Sequence, residues 1–384
     1  MSAGATDPIR REPVRIAFVI DQLGIGGTER QLATLINGLD RSRFAPYLIT
    51  IHPYEVCHEI RGKTFLFPTT KLLSPKAFWN VLRIARLLKR ERIEIVQAFF
   101  FDANLMGVLA ARLARVPVTI SCRRDTGFWL TPLRRRLMHT VGRLADRILT
   151  NSESVRQSTA QREALPLDRI DTIYNGFDPT SFNGSMSSAE ARHELGIDGA
   201  TPIVGMVSNL NRDVKRLDVF IDAIPFVLRE VPSARFVVIG KGHMRETLEE
   251  RCKMLGITQS VAFAGERRNV SRLLKAFDIG VNSSDSEGLS NAVIEYMMAG
   301  VPAIVSDVPG NRELIEDGVE GCRFFPGDPV SLSEKLVALL RSPAVAKSMG
   351  ERGREKAHKK FSSDAMIKAH MDYYERLVSE KSSK

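Results

Sequence analysis

The feature that most constrains this chain is a short apolar run followed by a helical stretch, repeated along two successive lengths of sequence. In the first length, Arg15–Ile20, Tyr47–Ile51, the brief Phe65–Phe67, Ile95–Ala98, Val118–Ser121 and Arg147–Asn151 read as strands. Between them Thr28–Leu39, Phe78–Arg92 and Asn104–Ala114 carry helical periodicity, as in Trp79, Leu82, Ala85 and Leu88. Strands separated by helices cannot close as hairpins, so they pair in parallel with both sheet faces covered. The series then begins afresh with Pro202–Val207, Arg235–Ile239, Val261–Ala264, Ile279–Asn282 and Ala303–Ser306, and helices start near Arg216, Met244, Asn269 and Ser290. An α/β chain of two Rossmann-like domains follows, and 384 residues suit two domains of about 150 residues each.

The pattern breaks at Asn175-Gly176-Phe177-Asp178-Pro179 and at Asn183-Gly184-Ser185, which is turn chemistry. This predicts a first domain over 1–175, a linker over 176–198 and a second domain over 199–360. Ser331 to Leu377 reads as helices, and the charged Lys381–Lys384 tail is expected to fray.

Composition removes several classes. Cys57, Cys122, Cys252 and Cys322 lie far apart, without metal-ligand or redox-pair spacing, and are expected to be reduced thiols. The histidines show no ligand spacing either, so no metal site is expected. No run reaches ~18 apolar residues, so a soluble cytoplasmic protein is expected. The excess charge is one-sided. Residues 1–180 hold 27 Lys+Arg against 17 Asp+Glu, a surplus of +10, whereas 181–384 hold 28 of each. A basic first half favours an anionic partner, whether a lipid headgroup, a phosphorylated carrier or nucleic acid, unless it is only a solvated basic surface. Pro132–Arg147 sharpens this: Leu133, Leu137, Val141 and Leu144 form an apolar stripe with the arginines largely off it. Such a helix either lies on an anionic membrane or packs its stripe on the sheet; packing is the commoner outcome.

Two segments carry chemistry. Asp21-Gln22-Leu23-Gly24-Ile25-Gly26-Gly27-Thr28-Glu29-Arg30 follows the first strand and opens a helix. Gly26 and Gly27 there let backbone N–H groups approach an anion, although a tight turn alone needs the same residues. Ser286-Glu287-Gly288-Leu289-Ser290-Asn291-Ala292-Val293-Ile294-Glu295 follows a later strand and runs into a helix. Glu287 then stands at a strand's C-terminal end, where open α/β sheets hold ligands. Amides of Gly288, Leu289, Ser290 and Asn291 suit a diphosphate, and Glu295 suits a ribose diol.

Glu287 and Glu295, followed by Met298-Ala299-Gly300-Val301-Pro302 and Ser306-Asp307-Val308-Pro309-Gly310-Asn311-Arg312-Glu313, closely resemble glycosyltransferase family 4. Gly26-Gly27-Thr28-Glu29, Asn175-Gly176-Phe177-Asp178 and Gly240-Lys241-Gly242 are similar to further family signatures. The resemblance implies a GT-B fold, two Rossmann-like domains facing a cleft, with residues 361–384 returning as a helix to the first domain. It implies retaining transfer of a sugar from a UDP- or GDP-sugar to a glycan or lipid-linked acceptor, as in polysaccharide biosynthesis. The nucleotide sugar is substrate, with no cofactor and no nucleic acid involved. Residue by residue, Glu287 falls to the transferred sugar, Glu295 to the ribose, and Arg212 and Lys215 to the donor phosphates. The family's first-domain histidine is missing after Val118–Ser121. Cys122-Arg123-Arg124-Asp125 stands there, so Arg124 or Asp125 is the candidate replacement. Rival readings are a nucleotide-sugar epimerase of the same fold, or a non-catalytic binder of anionic ligands.

Overall fold

A computed structural model describes residues 12–24, 26–53, 59–72, 74–184, 186–197 and 199–383. Two compact units result, one of residues 1–150, 156–173 and 366–384, the other of 151–155 and 174–365.

In the first unit the strands are β1 (Val14–Ile20), β2 (Phe44–Thr50), β3 (Lys63–Leu66), β4 (Ile95–Ala98), β5 (Val118–Arg123), β6 (Arg147–Thr150) and β7 (Ile170–Thr172). Their spatial order is β3-β2-β1-β4-β5-β6-β7, every neighbour parallel. The second unit holds β8 (Ile203–Val207), β9 (Arg235–Ile239), β10 (Val261–Gly265), β11 (Ile279–Asn282), β12 (Ala303–Ser306) and β13 (Gly321–Phe324). Their order is β10-β9-β8-β11-β12-β13, again parallel. Both sheets therefore reverse their strand order once, between β1 and β4 and between β8 and β11. Helices leave opposite faces at such a point, and a crevice opens beyond the strand ends.

Strands β7 and β13 escape the sequence pattern because they are three or four residues long and mix polar with apolar side chains. Residues 176–198, expected as a linker, belong to the second unit, with Phe177, Phe182, Ala191 and Leu195 buried in its core. The turn residues there are real, but the apolar ones between them are core. The terminal helix Ser363–Ser382 is ordered beyond the expected fray point, and Lys381 Nζ lies 2.7 Å from Asp146 Oδ1. From Met366 onward it belongs to the first unit. Tyr374 stacks edge-on against Phe18 and Phe44, and its hydroxyl donates to Gln97 Oε1 at 2.6 Å. Of the cysteines, Cys57 lies outside the described residues; Cys122 and Cys252 are buried and Cys322 half-buried, all as free thiols.

In the second unit the sheet admits two aromatic rings only where it lacks side chains. Tyr296 packs over Gly280, and its hydroxyl accepts the Val207 N–H at 2.7 Å. Phe277 packs over Gly205, where a Cβ would overlap the ring. Gly205→Ala is accordingly expected to cost about 1–3 kcal/mol of stability through overpacking, read by urea denaturation. Wild-type stability in this variant would refute the close contact.

Candidate functional site

The switch point of the second sheet sets two loops side by side: the one after β8 carries Lys215, the one after β11 carries Glu287. Ser283 Oγ donates to the carbonyls of Lys215 and Arg216 at 3.0 and 2.8 Å, and the Asp285 N–H donates to Val214 O at 2.9 Å. The Arg216 guanidinium bridges Asp218 and Asp285, which holds its charge more firmly than an ordinary arginine's. So clamped, Lys215 Nζ lies 2.6 Å from Glu287 Oε1. That same oxygen accepts from Asn282 Nδ2 at 2.9 Å and Ser284 Oγ at 2.7 Å.

Glu287 is buried, and burial alone pushes its carboxyl up. The Lys215 charge and the hydrogen bonds from Lys215, Asn282 and Ser284 outweigh this and hold it below the ordinary value. The polar network extends further. Asn282 Nδ2 also donates to Ser290 Oγ at 3.1 Å, and Asn311 Nδ2 donates to Asn282 Oδ1 at 3.0 Å. Gly310 permits this, because a Cβ there would overlap the backbone of Glu287 and Gly288.

Ser290 caps the helix Asn291–Ala299, which Gly300 ends at φ +74°. The N-terminal amides of that helix and its dipole make an anion-favouring end beside Lys215. Glu295 is buried on the same helix. Arg212 is exposed and begins the 3-10 turn Asp213–Lys215. The fold thus joins Glu287 and Lys215 directly and puts Gly288, Leu289, Ser290 and Asn291 around them. Asn282, Ser284 and Asn311 had no role assigned from sequence; Asn311 entered only as a member of the motif Ser306–Glu313, and Asn282 and Ser284 only as polar residues at a strand end.

The first unit fills its expected sites differently. Gly26 caps the helix Gly27–Gly38 with extended backbone, and Gly27 is its first residue. The Glu29 carboxylate folds back over Gly26, into space a Cβ would occupy, and burial pushes that carboxyl up. The helix end expected to meet a phosphate thus carries the chain's own anion. Ile25 lies outside the described residues. Asp125 closes its own loop, accepting from the Gly127 N–H at 2.8 Å and Trp129 Nε1 at 2.9 Å. Arg124 is half-buried over the Phe99 ring, 5.1 Å from its centroid, and desolvation lowers its pKa. Both line a small pocket with Phe101 and Trp129, whose rings meet edge-on.

The apolar stripe of the helix Pro132–Leu144 divides. Val141 is buried, whereas Leu133 is 66% exposed and Leu137 is also exposed. One further grouping was not read from sequence. Asp21, His52 and Asp102 each bring a polar atom within 4.8 Å of the others, close enough to share a proton or a cation. Among the described residues, no helix is long and apolar enough to cross a membrane.

Comparison with known proteins agrees with this construction. The crystal structure of Anabaena HepE in complex with UDP and glucose superposes with a TM-score of 0.83 at 19% identity, covering 94% of this chain and 99% of that one. The two units have the GT-B fold. Residues 25–181 match the family model described as Glycosyltransferase Family 4, and residues 201–342 the one described as Glycosyl transferases group 1. The chain belongs to the family 4 type of glycosyltransferase. A lipopolysaccharide core biosynthesis mannosyltransferase of Rhizobium meliloti is 27% identical over 75% of this chain and 78% of its own length. An uncharacterized glycosyltransferase of Methanocaldococcus jannaschii is 28% identical, and the match spans 59% of each chain.

Lys215→Met leaves the Glu287 carboxylate buried without its cation, and losing one partner of such a pair costs about 3–5 kcal/mol. Because the folded-state pKa of Glu287 is depressed, its favourable contribution exists above the unfolded value of 4.5 and fades as pH falls through the folded value. The deficit of Lys215→Met relative to wild type should therefore shrink at acid pH. Adding Glu287→Gln should recover part of it at neutral pH. Denaturation of the three proteins at pH 4 and pH 7.5 checks both statements.

Proposed function

We propose that this chain transfers a sugar from a UDP- or GDP-sugar to a glycan or lipid-linked acceptor, with net retention, in assembling cell-surface polysaccharide. The observation that carries the reading is the buried Glu287 paired with Lys215 beside the N-terminus of the helix Asn291–Ala299. As the bond from the sugar to phosphate breaks, negative charge grows on the departing diphosphate. Lys215 and Arg212, with the amides of Gly288 to Asn291, supply fixed positive charge where it develops, which lowers the barrier rather than merely tightening binding. Glu287, held ionised, accepts hydrogen bonds from hydroxyls of the transferred sugar, and Glu295 from the ribose diol. Retention rests on the likeness to family 4. The acceptor class rests on the basic first half and on relatives such as the Rhizobium mannosyltransferase.

Titrating a panel of UDP-, GDP- and ADP-sugars by thermal shift tests the donor site. One nucleotide class should stabilise the wild type, and Glu295→Ala should weaken that shift at least several-fold. Absence of any shift at millimolar nucleotide would sink the proposal.

Peripheral membrane association belongs to the same reading. Leu133 and Leu137 stand exposed with Phe128 and Trp129, beside Arg134, Arg135 and Arg136. Apolar side chains ringed by arginines match an anionic bilayer surface, where each basic group contributes about 1 kcal/mol. Flotation with phosphatidylglycerol vesicles should carry the wild type, and replacing the three arginines by serine should leave it in the pellet fraction. Equal flotation of both would remove this surface from consideration.

A further inference from the structure

The small pocket that Arg124 and Asp125 share with Phe101 and Trp129 lies at the C-terminal ends of β4 and β5, the edge at which an open parallel sheet holds ligands. Every residue lining it belongs to the first unit. One wall is held against the backbone's own preference. Phe100, between β4 and the helix Phe101–Ala114, has φ +63° and ψ 179°, a region that glycine enters freely and a bulky residue does not. Asn104 fixes that turn: its Nδ2 donates to the Phe100 carbonyl and, at 3.2 Å, to the Cys122 carbonyl of β5. The chain so turned sets the Phe101 ring edge-on to Trp129, with centroids 6.0 Å apart. Backbone strain of this kind gathers at ligand sites, where the surrounding structure enforces it.

Trp129 is held as firmly. Its Nε1 donates to Asp125 Oδ2 at 2.9 Å, and Asp125 Oδ1 accepts the Gly127 N–H at 2.8 Å. Gly127 stands at φ +72°, where a Cβ would press on Leu130. The indole is therefore fixed by its polar edge while 37% of the residue stays open to solvent. A tethered, half-open aromatic ring beside a second ring is a stacking surface for the apolar face of a sugar.

The charge around these rings is one-sided. Arg123, Arg124 and Arg162 line the pocket against Asp125 and Glu163. The Arg134 guanidinium lies over both rings, 5.3 Å from the Phe101 centroid and 5.6 Å from that of Trp129. Arg123 and Glu163 neutralise each other through two hydrogen bonds, of 2.6 and 2.7 Å. Arg124, Arg134 and Arg162 thus stand against the single carboxylate of Asp125, whose oxygens its own loop engages. An anionic group balances that surplus, and a planar guanidinium takes carboxylate or phosphate on two oxygens at once.

We propose that this pocket binds an acidic saccharide, its ring stacked on Trp129 and Phe101 at the mouth and its carboxylate or phosphate held by Arg124 and Arg162. Its role rests on the glycosyltransferase reading: the saccharide is the acceptor, a glycan that carries an acidic sugar rather than a neutral one. The binding itself needs no donor and is measured without one.

The chain's two tryptophans, Trp79 and Trp129, make that binding readable, because in Trp79→Phe the emission comes from Trp129 alone. Glucuronate, glucose 6-phosphate, glucose and inorganic phosphate are titrated into this protein. One or both acidic sugars should change the emission saturably at millimolar concentration, and which of them does so tells carboxylate from phosphate. Glucose should bind at least about tenfold more weakly, since it lacks the charged hydrogen bonds, and inorganic phosphate should leave the emission unchanged. Arg124→Gln and Arg162→Gln should each weaken the acidic sugar by about tenfold. Arg162 is exposed, so its variant serves even where Arg124→Gln fails to fold. No response to either acidic sugar, equal binding of glucose, an equal response to inorganic phosphate, or unchanged affinity in both variants overturns the proposal.

The nucleotide-sugar titration separates this inference from the reading it rests on. An acidic sugar bound without any nucleotide shift leaves the pocket standing and removes its role as acceptor site. A nucleotide shift without a response to either acidic sugar removes the pocket and leaves the donor site.

Discussion

An ionised carboxylate cannot remain buried unless an opposite charge and hydrogen-bond donors surround it, and Glu287 is such a carboxylate. Much of the second unit's ligand edge answers that requirement. Lys215 supplies the charge, but its loop must first be fixed, and Ser283, Asp285 and Arg216 do so by bonding it to the loop that carries Glu287. Asn282 and Ser284 supply donors to the same oxygen. Asn282 in turn needs its own partners, which come from Ser290 and Asn311. Gly310 is then obligatory, because only a residue without Cβ brings Asn311 that close to the backbone of Glu287. A half-satisfied network here would be worse than an apolar core, so its members stand or fall together.

The two units show how one architecture is filled in two ways. Both are parallel sheets with a single reversal of strand order, and both gather ionisable groups at the crevice that reversal opens. In the second unit the group is a closed ion pair beside the N-terminus of the helix Asn291–Ala299. In the first, the glycine-capped helix end is already met by Glu29, and the polar groups concentrate at Asp21, His52 and Asp102 instead.

The helix Pro132–Leu144 illustrates a conflict between local pattern and packing. Its apolar stripe has the spacing of a helix laid on a sheet, and Met138, Val141 and Gly142 are indeed buried. In its first two turns nothing covers the stripe, and Leu133 and Leu137 stay exposed among arginines. Periodicity describes a face; it does not say how far along the helix a partner extends.

Sequence alone determined the strand and helix series, because parallel pairing is forced once strands are separated by helices. It also determined the likeness to family 4, carried by Glu287 and Glu295 with the motifs that follow them; that Lys215 pairs with Glu287 was decided by the fold. Tertiary structure decided the rest. The short strands β7 and β13, and the membership of 176–198 in the second unit, depend on burial by residues distant in the chain. So do the roles of Asn282, Ser284 and Asn311, whose side chains have meaning only through partners up to 29 positions away. Asp21, His52 and Asp102 were silent for the same reason: they lie on three separate connections, and only the strand order β2-β1-β4 brings them together. Short-range pattern fixes what a segment can be, whereas a charge or a buried polar group is defined by what the fold sets beside it.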